Sequence, residues 1–328
     1  MDRRPWGRAM PRLTLAVLLI ACPAAPAAPP PQVANSEKEF QGLERARDLI
    51  KGGEYGRARD LLLMIRRPLE DSGSWNNLLG YAEFKLNRPQ AALPHLQKAL
   101  VLEPDNEDFL FDMGEFLIHQ RATAAAREMF EAAARRMPGS KRVQLLLAVG
   151  HMQDNRYAEA EALLNALLKL DPDFEPAYSA IGEFYEQAGK WEALVWVAEK
   201  LLARQPSSGT GWYLKGLGLA WLAVQNGMPL DPAIETLQRA SQFNPHSSRT
   251  HFALAKVFQW QENYRLAILE LEQTIRLDPL HDRAHYVLAT LYRRSGKTEL
   301  ADRELQIHDS LKQREGAVPS LIRPRVSR

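Results

Sequence analysis

Small and large apolar positions recur along this chain every 34 residues. Six prolines mark the period: Pro104, Pro138, Pro172, Pro206, Pro245 and Pro279, at steps of 34, 34, 34, 39 and 34 residues. With each proline at position 32 of a 34-residue unit, position 8 is Ala46, Gly80, Gly114, Ala148, Gly182, Gly216, Ala255 and Ala289. Position 20 is Ala58, Ala92, Ala126, Ala160, Leu194, Ala233, Ala267 and Ala301. Position 24 is mostly a large side chain, as in Leu62, Leu96, Phe130, Leu164 and Leu271. Two helices approach closely only where the facing side chains are small, so each unit predicts an antiparallel pair of helices joined by a short turn. Such a pair cannot bury its apolar face alone, and a period of this length predicts a stack of pairs.

The polar punctuation agrees. Position 15 is Gly53, Asn87, Arg121, Asn155, Gly189, Glu262 and Gly296, mostly residues that accept the left-handed backbone of a tight turn. Proline at position 32 stops the second helix. Asp105, Asp171, Asp173 and Asp278 lie beside it, and capping and dipole pairing account for them without a calcium site. The sixth unit carries five extra residues around Val224–Pro232, predicted to lengthen the turn between its helices, since Gly227, Pro229 and Pro232 oppose a continued helix. The last helix, about Thr298–Arg314, has a charged outer side and reads as a cap.

The stretches YSAIGEFYEQAGKWEAL (Tyr178–Leu194), LGYAEFKLNRPQAALPHLQKALVLEP (Leu79–Pro104) and LATLYRRSGKTELA (Leu288–Ala301) resemble the tetratricopeptide repeat family. The resemblance implies an all-α, right-handed α-solenoid of about eight repeats: 39–72, 73–106, 107–140, 141–174, 175–208, 209–247, 248–281 and 282–315. Leu194 at the usual alanine, a weak first repeat and the missing final proline depart from the pattern.

The N-terminus has a different character. Arg3, Arg4, Arg8 and Arg12 precede an apolar run from Leu13 to Ala21, too short to span a bilayer and suited to an export signal over 1–21. The single cysteine, Cys22, follows Leu19-Ile20-Ala21, which resembles a bacterial lipoprotein processing box and makes Cys22 the expected lipid anchor. Cleavage near Ala25-Pro26-Ala27 is the alternative and would discard it. The expected product is a membrane-anchored lipoprotein facing the periplasm, or a soluble periplasmic or secreted protein. Residues 22–38 are rich in proline and alanine, a stiff tether that would hold the repeats roughly 30–50 Å from a membrane. Residues 316–328 form a basic tail with Arg323, Arg325 and Arg328. Without residues 1–21 the charge is 38 Lys and Arg against 39 Asp and Glu, which gives no nucleic-acid footprint.

By the same resemblance, positions 2, 5, 9, 12 and 13 of each first helix face a concave groove. The expected partner-binding residues are Asn77, Tyr81, Phe84, Phe111, Glu115, Tyr213, Trp221, Phe252, Lys256, Tyr286 and Arg293. Lys85, Asp108, His119, Glu183, Glu186, Arg249, Trp260, Arg283 and Arg294 share those positions. Acids gather in the middle of the row and bases in the last third, a split field suited to an oppositely polarised peptide. No nucleotide loop, paired cysteines or nucleophile motif is present, and no cofactor or metal is called for. His281 and His285 lie four apart, but one falls in a turn and the other at a packing position shared with His251. The expected function is a non-catalytic protein-interaction scaffold of the bacterial cell envelope. It would hold a peptide or helix of a protein partner in assembly of an envelope, secretion or pilus complex. A carbohydrate-binding accessory in polysaccharide export is the alternative.

Overall fold

The computed structural model describes residues 37–65 and 69–314. The export signal, Cys22, the basic tail and the tether lie outside the described residues, except that residues 37 and 38, expected to end the tether, already belong to the first helix. Sixteen helices run in eight antiparallel pairs, with no strand among the described residues. They are α1 (Glu37–Lys51), α2 (Tyr55–Met64), α3 (Gly73–Lys85), α4 (Pro89–Leu102), α5 (Glu107–His119), α6 (Thr123–Arg136), α7 (Lys141–Gln153) and α8 (Tyr157–Leu170). There follow α9 (Glu175–Gln187), α10 (Trp191–Arg204), α11 (Gly209–Asn226), α12 (Asp231–Phe243), α13 (Ser248–Trp260), α14 (Tyr264–Leu277), α15 (Asp282–Arg294) and α16 (Thr298–Arg314). Each helix packs on its sequence neighbours, so the molecule is an α-solenoid built from local contacts. First helices also touch first helices at six of the seven junctions, from α1–α3 to α11–α13, and no second helix packs as closely on the next second helix. The row of odd-numbered helices is therefore the inner, concave side.

The close approach inside each pair is visible at position 8. A Cβ on Gly80 would meet Leu96 Cγ at 2.8 Å and the Leu96 backbone nitrogen at 2.9 Å. One on Gly216 would meet Leu237 at 2.7 Å, and one on Gly114 would lie 2.2 Å from Cζ of the Phe130 ring. The alanines of position 20 are buried in every repeat that has one, and Leu194 is buried in the remaining repeat. Each buried leucine at position 24 stabilises the pair by about 1.5–3 kcal/mol. The buried side chains form two clusters that meet in the fourth repeat, where Leu163 packs against both.

Every first helix ends in the same way. A backbone N–H just past the turn reaches five residues back, as in Arg88 to Glu83, Ala122 to Leu117 and Lys297 to Tyr292, closing a Schellman turn. All seven residues of position 15 have positive φ, including Arg121 at 58° and Glu262 at 59°, where a side chain costs about 1–2 kcal/mol. In the sixth repeat Gly227, at 63°, takes this role. There the structure corrects the expected long turn. The extra residues extend α11 to 18 residues against 13 in α9 or α13, so that it projects about 7 Å beyond them. Gly227 does stop the helix, but only after the insertion has been absorbed as helix.

Junctions between repeats share a device that the sequence hides under different residue types. The carbonyl at position 32 has no partner within its own helix, and the side chain six residues later usually donates to it. Asn76 donates to Glu70 (2.8 Å), Gln144 to Pro138 (3.4 Å), Tyr178 to Pro172 (3.0 Å) and Trp212 to Pro206 (2.8 Å). His251 and His285 do the same through Nε2 to Pro245 (3.2 Å) and Pro279 (3.1 Å). Leu110 cannot donate, and Arg136 instead reaches Pro104 at 2.8 Å. Thus all seven junction carbonyls, left over where a second helix stops, are satisfied by a side-chain donor. Capping also differs from expectation. Ser72, Asn106, Ser140, Ser208 and Ser247 cap the first helices, while Asp105 and Asp173 bind Arg136 and Arg204 of the following helix pair or second helix.

Gly80→Ala should destabilise the fold by about 1–3 kcal/mol in urea denaturation, because the clash with backbone outweighs the better helix propensity of alanine. Glu262→Gly should stabilise it by about 0.5–1 kcal/mol, the relief of the left-handed strain less the entropy of glycine.

Candidate functional site

The concave row does not present its side chains evenly. At the N-terminal end, Asn77, Tyr81, Phe84, Phe111 and Glu115 are all buried. They are consumed by contacts between α3 and α5. Asn77 donates to Asp112 at 2.6 Å, Tyr81 donates to Glu115 at 3.2 Å, and Lys85 forms a close ion pair with Glu115. Phe84 packs edge-on against Phe116 and His119 at 5.6 and 5.0 Å. These residues were expected to face a ligand; instead they join the second repeat to the third. Tyr213, only 9% exposed, is likewise a packing residue.

The C-terminal repeats remain open. Phe252, Lys256, Trp221 and Trp260 are half-buried, Tyr286 is 53% exposed, and Arg293 and Arg294 are exposed. Tyr286, Thr290, Arg293, Arg294 and Leu305 line an open cavity of about 410 Å³. Trp221 stacks on Trp191 at 4.9 Å with an 8° tilt and receives Trp260 edge-on at 5.0 Å. This three-tryptophan stack crosses three repeats, and the reading of the sequence missed it. Trp191 opens a second helix, outside the positions expected to line the groove.

The split field of charge is largely self-neutralised. Arg142 pairs with Asp108 at 2.5 Å. Arg249 reaches back across a whole repeat to Glu183 at 2.9 Å and Glu186 at 3.8 Å, with its guanidinium 5.1 Å above the ring of Tyr213. Burial raises both carboxyls above the usual range, and Arg249 opposes this. What remains unmatched is positive. Among the described residues, no carboxylate pairs with Lys256 or Arg283; these cations lie over Trp260 (5.6 Å) and Phe252 (5.8 Å). Burial, followed by the nearby Arg283, lowers the Lys256 ammonium below its ordinary value.

The histidines are structural. Nδ1 of His285 meets Glu304 at 2.5 Å, and that of His251 meets Glu270 at 2.6 Å, each ring's other nitrogen being held by a proline carbonyl. Nδ1 of His281 accepts from the Ala284 N–H at 3.2 Å as a helix cap. No group of three ligating side chains stands ready for a metal ion among the described residues. No helix among them is long and apolar enough to cross a membrane.

Two family models, both described as tetratricopeptide repeat, match the chain, one over residues 83–150 and 118–184, the other over 43–107 and 252–301. The chain belongs to the tetratricopeptide repeat family. Repeats of this family generally bind protein partners and act as non-catalytic scaffolds. Among curated relatives, a TPR repeat-containing protein of Treponema pallidum is 26% identical over 63% of this chain and 25% of its own length. Anaphase-promoting complex subunit 3 of Schizosaccharomyces pombe is 22% identical over 61% of this chain and 29% of its own. The chain thus spans under a third of the length of these relatives. Two crystal structures of MamA align at TM-scores of 0.41 and 0.40, with 19% and 18% identity. They cover 51% and 56% of this chain and 95% and 98% of those chains.

One charged group of this tetratricopeptide repeat protein has a marked pH signature. Burial, then the carboxylates of Glu115 and Asp108, raise Asp112 from 3.8 to about 7, against the hydrogen bond from Asn77. A carboxyl whose folded value stands above its unfolded one weakens the fold as pH rises through that interval. Wild type should therefore lose more stability between pH 4.5 and pH 8 than Asp112→Asn, read as the shift in urea midpoint.

Proposed function

We propose that the chain is an exported scaffold of the bacterial cell envelope, tethered by a lipid on Cys22, that holds a peptide or helix of a protein partner along its first-helix row. The observation that carries this reading is the open aromatic and cationic surface of the last three repeats. Phe252, Tyr286, Lys256 and Arg293 lie there on neighbouring first helices, whereas the equivalent residues of the early repeats are buried. Rigid aromatic rings beside cations favour protein contact, and of these cations Arg293 is held by Asp302 at 3.1 Å while Lys256 has no carboxylate partner among the described residues. Assembly of an envelope, secretion or pilus complex is the role we infer for it. The export signal and lipoprotein box support the compartment.

Binding of sugars in polysaccharide export is less well supported. A sugar needs the flat face of a ring, and one face of Trp221 is covered by Trp191 while Trp260 abuts it edge-on. Peptide arrays set against glycan arrays separate the two readings.

Tyr286→Ala should weaken binding of peptides selected on the wild type by about tenfold and leave thermal unfolding nearly unchanged, because that ring is 53% exposed, whereas Phe252→Ala should also lower the unfolding temperature, since Phe252 packs on the core and on His281. Tyr213→Ala should do the reverse of Tyr286→Ala, lowering the unfolding temperature, because that ring is buried between repeats. Cells fed a fatty-acid probe should label the protein and not Cys22→Ala. Equal labelling of both would reject the anchor while leaving the groove untouched.

A further inference from the structure

The repeats can be compared with one another, and that comparison exposes a missing partner. Position 2 carries arginine in three repeats: Arg142, Arg249 and Arg283. Arg142 is paired with Asp108, and Arg249 with Glu183 and Glu186. Arg249 and Arg283 are equivalent in a further respect. Each lies over the aromatic ring at position 5 of the preceding repeat, Tyr213 for one and Phe252 for the other. The carboxylates that Arg249 receives come from positions 9 and 12 of the repeat before that. For Arg283, the residues at those same positions are Leu217 and Ala220, which are buried and carry no charge.

Arg283 therefore repeats the geometry of Arg249 with its acid removed. Lys256, on the helix between, adds a second cation to the same surface. The two repel each other across α13 and α15, and no ion pair among the described residues relieves either of them. Glu186 feels Arg283 but is already held by Arg249. Lys256 is half-buried and Arg283 exposed beside it, so the free protein holds two neighbouring like charges, and an incoming carboxylate offsets their repulsion. Leu217 and Ala220 leave an apolar floor where the backbone of Glu183 and Glu186 stands one repeat earlier. The internal template has two carboxylates one helical turn apart, at i and i+3, presented side by side to the guanidinium.

We propose that the concave surface of repeats six to eight recognises an acidic segment of a protein partner, whose Asp or Glu side chains take, at Arg283 and Lys256, the place that Glu183 and Glu186 take at Arg249. An apolar side chain of the same segment lies against Phe252 and Tyr286. The proposal rests on the peptide-binding reading given above and names its chemistry.

The test pans a displayed library of random dodecapeptides on the full chain and re-measures the winners by fluorescence polarisation. Peptides selected on wild type are expected to be enriched in Asp and Glu. Their affinity is expected to fall about tenfold in a variant carrying Arg283→Gln and Lys256→Gln, and to fall steeply with added salt. Replacing Glu by Gln in the peptide leaves the protein untouched. It should cost as much, and should cost nothing more in the double variant. Winners without acidic enrichment, or acidic winners indifferent to both substitutions, overturn the proposal while the peptide groove stands. A library that yields no binder at all removes the groove and this inference together.

Discussion

The separation between the two helices of a repeat sets everything else in this molecule. At Gly80, Gly114 and Gly216 there is no room for a single methyl group, because the backbone or a large side chain of the facing helix already occupies it. That contact holds the pair at one distance. A constant distance lets each pair offer the next a surface of constant shape, and the stack then propagates by repetition. The Schellman turn at position 15 serves the same end, reversing the chain within a few residues. It holds Arg121 and Glu262 in a left-handed backbone that neither prefers, so the tertiary contacts dominate the local preference there.

Between repeats the binding agent is polar. A carbonyl freed where each second helix stops is taken up by whatever donor the next helix can place beneath it: amide, phenol, indole, imidazole or, at Pro104, a distant guanidinium. One physical requirement is met by several chemistries, since only the position of the donor matters. The same economy governs charge. Acids and bases along the concave row are mostly matched to each other across repeat boundaries, and Arg249 binds acids two repeats away. The fold spends much of its polar surface on itself in the first five repeats and leaves the last three open. A partner would meet an aromatic, cationic region rather than a groove of uniform character.

The local features could be read from residue order. Gly80, Ala92, Asn87 and Pro104 each act through the backbone or through side-chain volume, within one repeat, so their spacing carries the information. The exposure of Tyr81, Tyr213 and Tyr286 could not be read this way. All three are tyrosines on the concave side of a first helix, yet two are buried and one is open, because exposure depends on how the neighbouring repeats pack. The insertion near Val224 misled for a related reason. Gly227 and Pro229 do end the helix, but the number of residues admitted before the stop follows from how far α11 can extend past its neighbours.

By itself the amino-acid sequence determined the repeat, the all-helical class, the turn positions and the family, for these follow from interactions of short range along the chain. Tertiary structure alone decided which concave side chains are spent on packing and which stay free. It also decided that Arg249 finds Glu183, 66 residues away, while Arg283 finds no equivalent. Such pairings arise only when the curvature of the stack brings separate repeats together, and no local pattern encodes that curvature.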